Sequence, residues 1–80
     1  MNTYTVYSTT IKGSTFEVTV CSGKFNYINV RKTSNNPFLL AGRDFKNFDL
    51  AIQSYKSPEM KTFLLQIEMG LIQSVRELVA

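Results

Sequence analysis

The sequence predicts an α+β domain: a three- or four-stranded antiparallel β-meander followed by a short and a long C-terminal helix packed on one face. Three observations predict it. Up to about residue 32, apolar and polar residues alternate at period two, the mark of half-buried strands. Short turns containing Gly13 and Gly23 divide that stretch into three runs, which favours hairpins over crossovers. Beyond Asn47 the apolar spacing changes to three and four, the spacing of one helical face.

The elements follow in order. YTVYSTTI, Tyr4 to Ile11, is rich in Thr, Tyr and Val, all strand formers. Lys12-Gly13-Ser14 is a turn. From Thr15 to Cys21, Phe16, Val18 and Val20 take one face and Thr15, Glu17 and Thr19 the other. Ser22-Gly23-Lys24 is a second turn, and Phe25 to Lys32 the third strand. A loop over residues 33–37 leads to a short fourth strand at Phe38 to Ala41, ending at Gly42. The sheet therefore spans about residues 3–41, inside a single domain of residues 1–80.

Asn47 is placed to cap a short helix over about residues 48–55, with Asp49 in its first turn favouring the dipole. Its apolar face is Phe48, Ala51, Ile52 and Tyr55. Ser57-Pro58-Glu59 is a second start signal: a cap, a proline at the first helical position, and an acid. The pattern then predicts a long helix over residues 58–79, with Met60, Phe63, Leu64, Ile67, Leu71, Val75 and Leu78 on one stripe. Leu65, Met69, Ile72 and Val79 form a second stripe beside it, wider than a helix on one sheet face needs. The short helix or a second subunit is expected to cover it, and a homodimer through those four residues is the expectation. Gly70 lies in mid-helix on this reading, where it costs about 1 kcal/mol relative to Ala.

Composition narrows the function classes. At 44% hydrophobic and 19% charged, the chain is globular rather than disordered. No apolar run approaches a membrane span, and MNTYTVYSTT lacks the charged-then-apolar layout of a secretory signal. Cys21 has no second cysteine to pair with, so a reducing, cytoplasmic setting is expected. With no histidine, Ser-His-Asp chemistry and the usual zinc sites each lose a member. No phosphate-binding glycine loop is present. The expectation is a binding protein without catalytic residues, cofactor or metal.

Charge is uneven. Residues 1–46 hold six basic residues against two acidic ones, and residues 47–80 hold three against four. The third strand, within GKFNYINVRK, puts Phe25, Tyr27, Asn29 and Arg31 on one face and Ile28 and Val30 on the other. Unpaired nucleic acid needs cations for phosphates and flat rings for bases. Lys24, Arg31, Lys32, Arg43 and Lys46 are candidates for phosphates, Phe25 and Tyr27 for stacking, and Asn29 for a base edge; Tyr4 or Tyr7 is placed to add a ring. The expectation is that this face binds single-stranded nucleic acid without strong sequence preference; the same rings and guanidinium also suit a protein interface, or plain sheet surface.

FEVTVCSGKFNYINVRK and AGRDFKNFDLAI together resemble the strand, Gly-Lys turn, strand and basic strand-to-helix passage of the transcriptional positive coactivators and Whirly proteins, over about Phe16 to Ile52. That resemblance implies a sheet that binds single-stranded DNA, helix-mediated dimers, and Lys24, Tyr27, Arg31, Lys32, Arg43 and Lys46 on the nucleic-acid surface. GRDFKNFDLAIQSY is also similar to a passage in three-stranded-sheet domains of plant regulators and integrase arms, which enter a duplex groove. The competing expectation is a small accessory protein similar to those of phages and mobile elements, which inhibits or adapts a host protein by surface contact. On that reading Phe25, Tyr27, Phe38 and Arg31 are the anchors.

Overall fold

The alternation in the first part of the chain folds into a long hairpin. In the computed structural model, which describes residues 1–33 and 41–80, β1 (Asn2–Ile11) pairs antiparallel with β2 (Ser14–Gly23), from Asn2↔Gly23 to Ile11↔Ser14. Lys12 (φ 50°) and Gly13 (φ 80°) make the turn. Two successive positive φ values give the mirror-image turn whose twist matches that of the flanking strands. The second turn needs Gly23: its φ is 130°, and a Cβ there would run into the Met1 carbonyl oxygen and lie 3.2 Å from the Asn2 Cα.

β3 (Tyr27–Lys32) pairs with β2 and with β4 (Ala41–Phe45), both antiparallel. The expected fourth strand at residues 38–41 falls largely outside the described residues. The described strand starts at Ala41 and continues to Phe45, so Gly42 and Arg43 lie within the sheet rather than past it.

α1 (Phe48–Ser54) starts where Asn47 accepts the Leu50 N–H at 2.9 Å. α2 (Pro58–Glu68) starts where the Ser57 hydroxyl accepts the Met60 N–H at 3.2 Å, with Pro58 at the first position. Met60, Phe63, Leu64 and Ile67 form the buried face of α2 and meet Val18, Ile28, Val30 and Ala51 in the core. Tyr7, Ile11, Phe16, Val20, Phe45 and Tyr55 pack around them. One sheet face is thus covered by both helices, as expected, and among the described residues the other carries none.

The long helix is corrected. α2 stops at Glu68, and the chain returns to the sheet as β5 (Arg76–Val79), antiparallel to β1. The sheet has five strands in the order β4-β3-β2-β1-β5. Gly70 is the reason. It holds φ 70°, its N–H donates to Ile67 O at 3.1 Å, and the Leu71 N–H donates to Gln66 O at 2.9 Å. These are the two bonds of a Schellman stop, with glycine in the left-handed position just past the cap. The second helix stripe is corrected with it. Ile72 packs against the core; Leu65 and Met69 are exposed at the end of α2, and Val79 is exposed on β5. These four residues do not form a helical dimer face. Among the described residues, no helix is long and apolar enough to cross a membrane.

Candidate functional site

Strand register decides what the uncovered face presents. Val18, Ile28 and Val30 point into the helix-covered core, so residues of opposite parity lie on the open face. Three cross-strand rows follow. Leu78, Tyr4, Cys21 and Tyr27 form the first; Arg76, Val6, Thr19, Asn29 and Asp44 the second; Ser8, Glu17, Arg31 and Gly42 the third. Val6 and Cys21 are buried on this face. The Cys21 thiol donates to Phe25 O at 3.4 Å.

The polar groups of this face are tied to one another. Arg31 donates to Glu17 Oε1 from β3, directly across the ladder. Arg76 donates to the same oxygen at 3.0 Å from β5, reaching past β1. Asn29 Nδ2 donates to Asp44 Oδ1 at 2.9 Å. Gly42 leaves room for that bond, since a Cβ there would lie 3.0 Å from Asn29 Nδ2. Partial burial alone would raise the Glu17 pKa; the hydrogen bonds and charges of Arg76 and Arg31 outweigh it and hold the carboxyl below its ordinary value. Burial, then the neighbouring Cys21 and Tyr4, push the Tyr27 phenol up, so it stays a protonated hydrogen-bond donor at neutral pH.

The eight residues expected to contact nucleic acid separate into three groups. Tyr27, Asn29 and Arg31 share the open face, as expected. Lys24 and Phe25 lie in the turn before β3, not in it, because Asn26 and Asn2 side chains hold the Gly23 and Phe25 amides. Phe25 is 60% exposed, with Lys24 Nζ 5.7 Å from its ring centroid. Lys46 follows β4 and, with Asn26, Tyr27 and Glu68, lines a groove of about 250 Å³ at this same end of the sheet. Lys32 and Arg43 lie on the helix-covered side, Lys32 across from Phe16 and Arg43 across from Val30. The Arg43 guanidinium sits 5.0 Å from the Phe45 ring centroid and 5.6 Å from that of Tyr55, fastening β4 to the end of α1. Tyr4 joins the open face, whereas Tyr7 packs on the core. Phe38 lies outside the described residues.

Sequence reasoning missed Arg76 and the pairing role of Glu17 and Asp44. The Glu17–Arg31 pairing was not legible, because five residues separate the paired Cys21 and Tyr27 and a turn of that length does not fix the β2–β3 register. Nor was Arg76, since its position depends on where α2 stops. No family model, curated protein or solved structure matches the chain.

Proposed function

We propose that this chain is a non-enzymatic binding protein whose open sheet face docks a protein partner. The observation that carries the reading is the convergence of Arg31 and Arg76 on Glu17, alongside the Asn29–Asp44 bond. Affinity for phosphate comes from cations free to replace counterions. Guanidiniums already paired with a carboxylate on the same face contribute little of that, and Glu17 and Asp44 repel a phosphate backbone. A protein surface makes different demands. Tyr and Arg are the residues enriched at protein interfaces, and a charge-balanced face with ordered donors suits them. Tyr4 and Tyr27 supply the rings, Arg31 and Arg76 the planar donors, and Thr19 and Ser8 small polar contacts between them.

A cytoplasmic setting belongs to this proposal and rests on the lone, buried Cys21. So does the role of an accessory protein that inhibits or adapts a larger host assembly. The homodimer expected from the helix stripe loses that basis with the shortened helix, and the open face does not require it.

A second reading, single-stranded nucleic-acid binding of the kind the Whirly-type resemblance implies, is favoured by the end of the sheet. Lys24, Phe25, Tyr27 and Lys46 gather there, two cations with two rings. Glu68 lines the same groove and works against it.

The test is comparative capture from host extract by the native protein and by Tyr27→Ala/Arg31→Ala, after circular dichroism has shown both folded. The reading predicts a protein retained by the first and lost by the second. Equal capture by both contradicts it.

A further inference from the structure

We propose that β5 is a docking edge for a second copy of this chain, paired antiparallel about a twofold axis at Leu78. β5 is the last strand of the sheet on the β1 side, and its outer edge pairs with no strand among the described residues. Ala80 and Asn2 exchange both backbone hydrogen bonds, at 2.6 and 2.8 Å, so Ala80 faces β1. Sides alternate along an antiparallel strand, so Leu78 also faces β1, while Glu77 and Val79 turn their N–H and C=O groups outward. Val75 does not extend this outward set, because its N–H donates inward to Val6 O at 2.7 Å.

A second copy must place outward residues opposite outward residues. Centred on Leu78, the pairing sets Glu77 against Val79 of the second copy and Val79 against its Glu77. Each pair then closes a hydrogen-bonded rung. Leu78, 55% exposed, meets its own counterpart in the close, non-hydrogen-bonded pair between them. Arg76 falls opposite Ala80, and no like charges oppose. Centring on Glu77 instead sets two carboxylates against each other and calls on Val75, whose N–H is already used. The strand carries no lysine or proline to blunt its edge, and its shortness and the charges of Arg76 and Glu77 limit the pairing to two hydrogen-bonded rungs. The chain leading into it exposes Met69, Leu71 and Val75. The axis runs normal to the sheet, so both open faces point the same way. A contact this short belongs with the small, transient interfaces and gives modest affinity.

The experiment is sedimentation velocity of the native protein and of Val79→Pro over about 5–500 μM, alongside concentration-dependent amide hydrogen exchange. Proline at position 79 removes an outward N–H and spares the inward bonds of Leu78 and Ala80. The expected result is a native dimer that forms with rising concentration, Glu77 and Val79 amides protected only in the dimer, and a monomeric, folded Val79→Pro. A native monomer throughout overturns the proposal. So does a dimer in which the Glu77 and Val79 amides exchange as fast as in dilute protein, a reading that stands even if Val79→Pro fails to fold. A dimer that survives in folded Val79→Pro but dissociates in Leu65→Glu moves the contact to α2 and overturns it as well.

Discussion

Arg76 reaches from the edge strand past β1 to share one carboxylate oxygen of Glu17 with Arg31, so a single acid on β2 joins β3 and β5. The Glu17 side chain is 12% exposed, those of Arg31 and Arg76 32% and 46%, which places the acid at the sheltered centre of the trio. Removing the acid leaves two guanidiniums beside each other. Glu17→Gln is expected to lower stability by about 1–2 kcal/mol, more than an isolated surface pair because one charge serves two guanidiniums and both lose it together. Urea unfolding measures it.

The same group sets an acid dependence. The Glu17 pKa is lowered in the folded state, so between the folded and unfolded values the unfolded chain binds more protons. Its contribution is fully present above the ordinary carboxylate value and is lost as pH falls through the lowered folded value. Denaturant midpoints across the acid range are expected to fall more steeply for the native protein than for Glu17→Gln. Parallel curves for the two proteins would contradict this assignment.

Gly70→Ala tests the helix stop. A Cβ at position 70 meets nothing within 4 Å, so the cost is backbone strain at φ 70° and not a clash. The expected loss is about 1 kcal/mol, or about 4–8 °C in a domain of this size. Had Gly70 stood inside a continuous helix, alanine there would stabilise by a similar amount. The sign of the change in melting temperature separates the two.

Neighbouring leucines on α2 are predicted to behave oppositely. Leu64 is fully buried and Leu65 is 46% exposed. Leu64→Ala is expected to cost about 2.7–5 kcal/mol, much of the stability of a small domain, and Leu65→Ala less than about 0.5 kcal/mol. Thermal unfolding of both variants checks the orientation of the helix.

Arg43→Ala separates structural cations from binding ones. Its guanidinium rests against Phe45 and Tyr55 on the helix side, and its loss is expected to cost about 0.5–1 kcal/mol. Partner capture by the open face is expected to be unchanged, whereas Arg31→Ala weakens it. Calorimetry and the capture assay read the two effects.

The parts of the fold written in local chemistry were legible. Alternation of Phe16, Val18 and Val20, the Lys12-Gly13 turn, and the Asn47 and Ser57 caps each specify their element within a few residues. The placement of Tyr27, Asn29 and Arg31 opposite Ile28 and Val30 followed from period two alone. The end of α2 was not read, because apolar residues after Gly70 continue at helical spacing while Leu78 and Val79 also suit a strand. Glycine's freedom at positive φ settled the choice. The distribution of cations was misread for a related reason. Arg43 and Lys32 are exposed, but strand parity sends them to the helix side, away from Arg31.

The most direct measurement is fluorescence anisotropy of a labelled single strand of about 20 nucleotides at low and moderate salt, with Tyr27→Ala and Arg31→Ala as controls. A face whose guanidiniums are held by Glu17 is predicted to give no salt-dependent binding that either substitution removes. Micromolar binding that weakens with salt and falls in both variants would contradict the account and make this face a nucleic-acid platform.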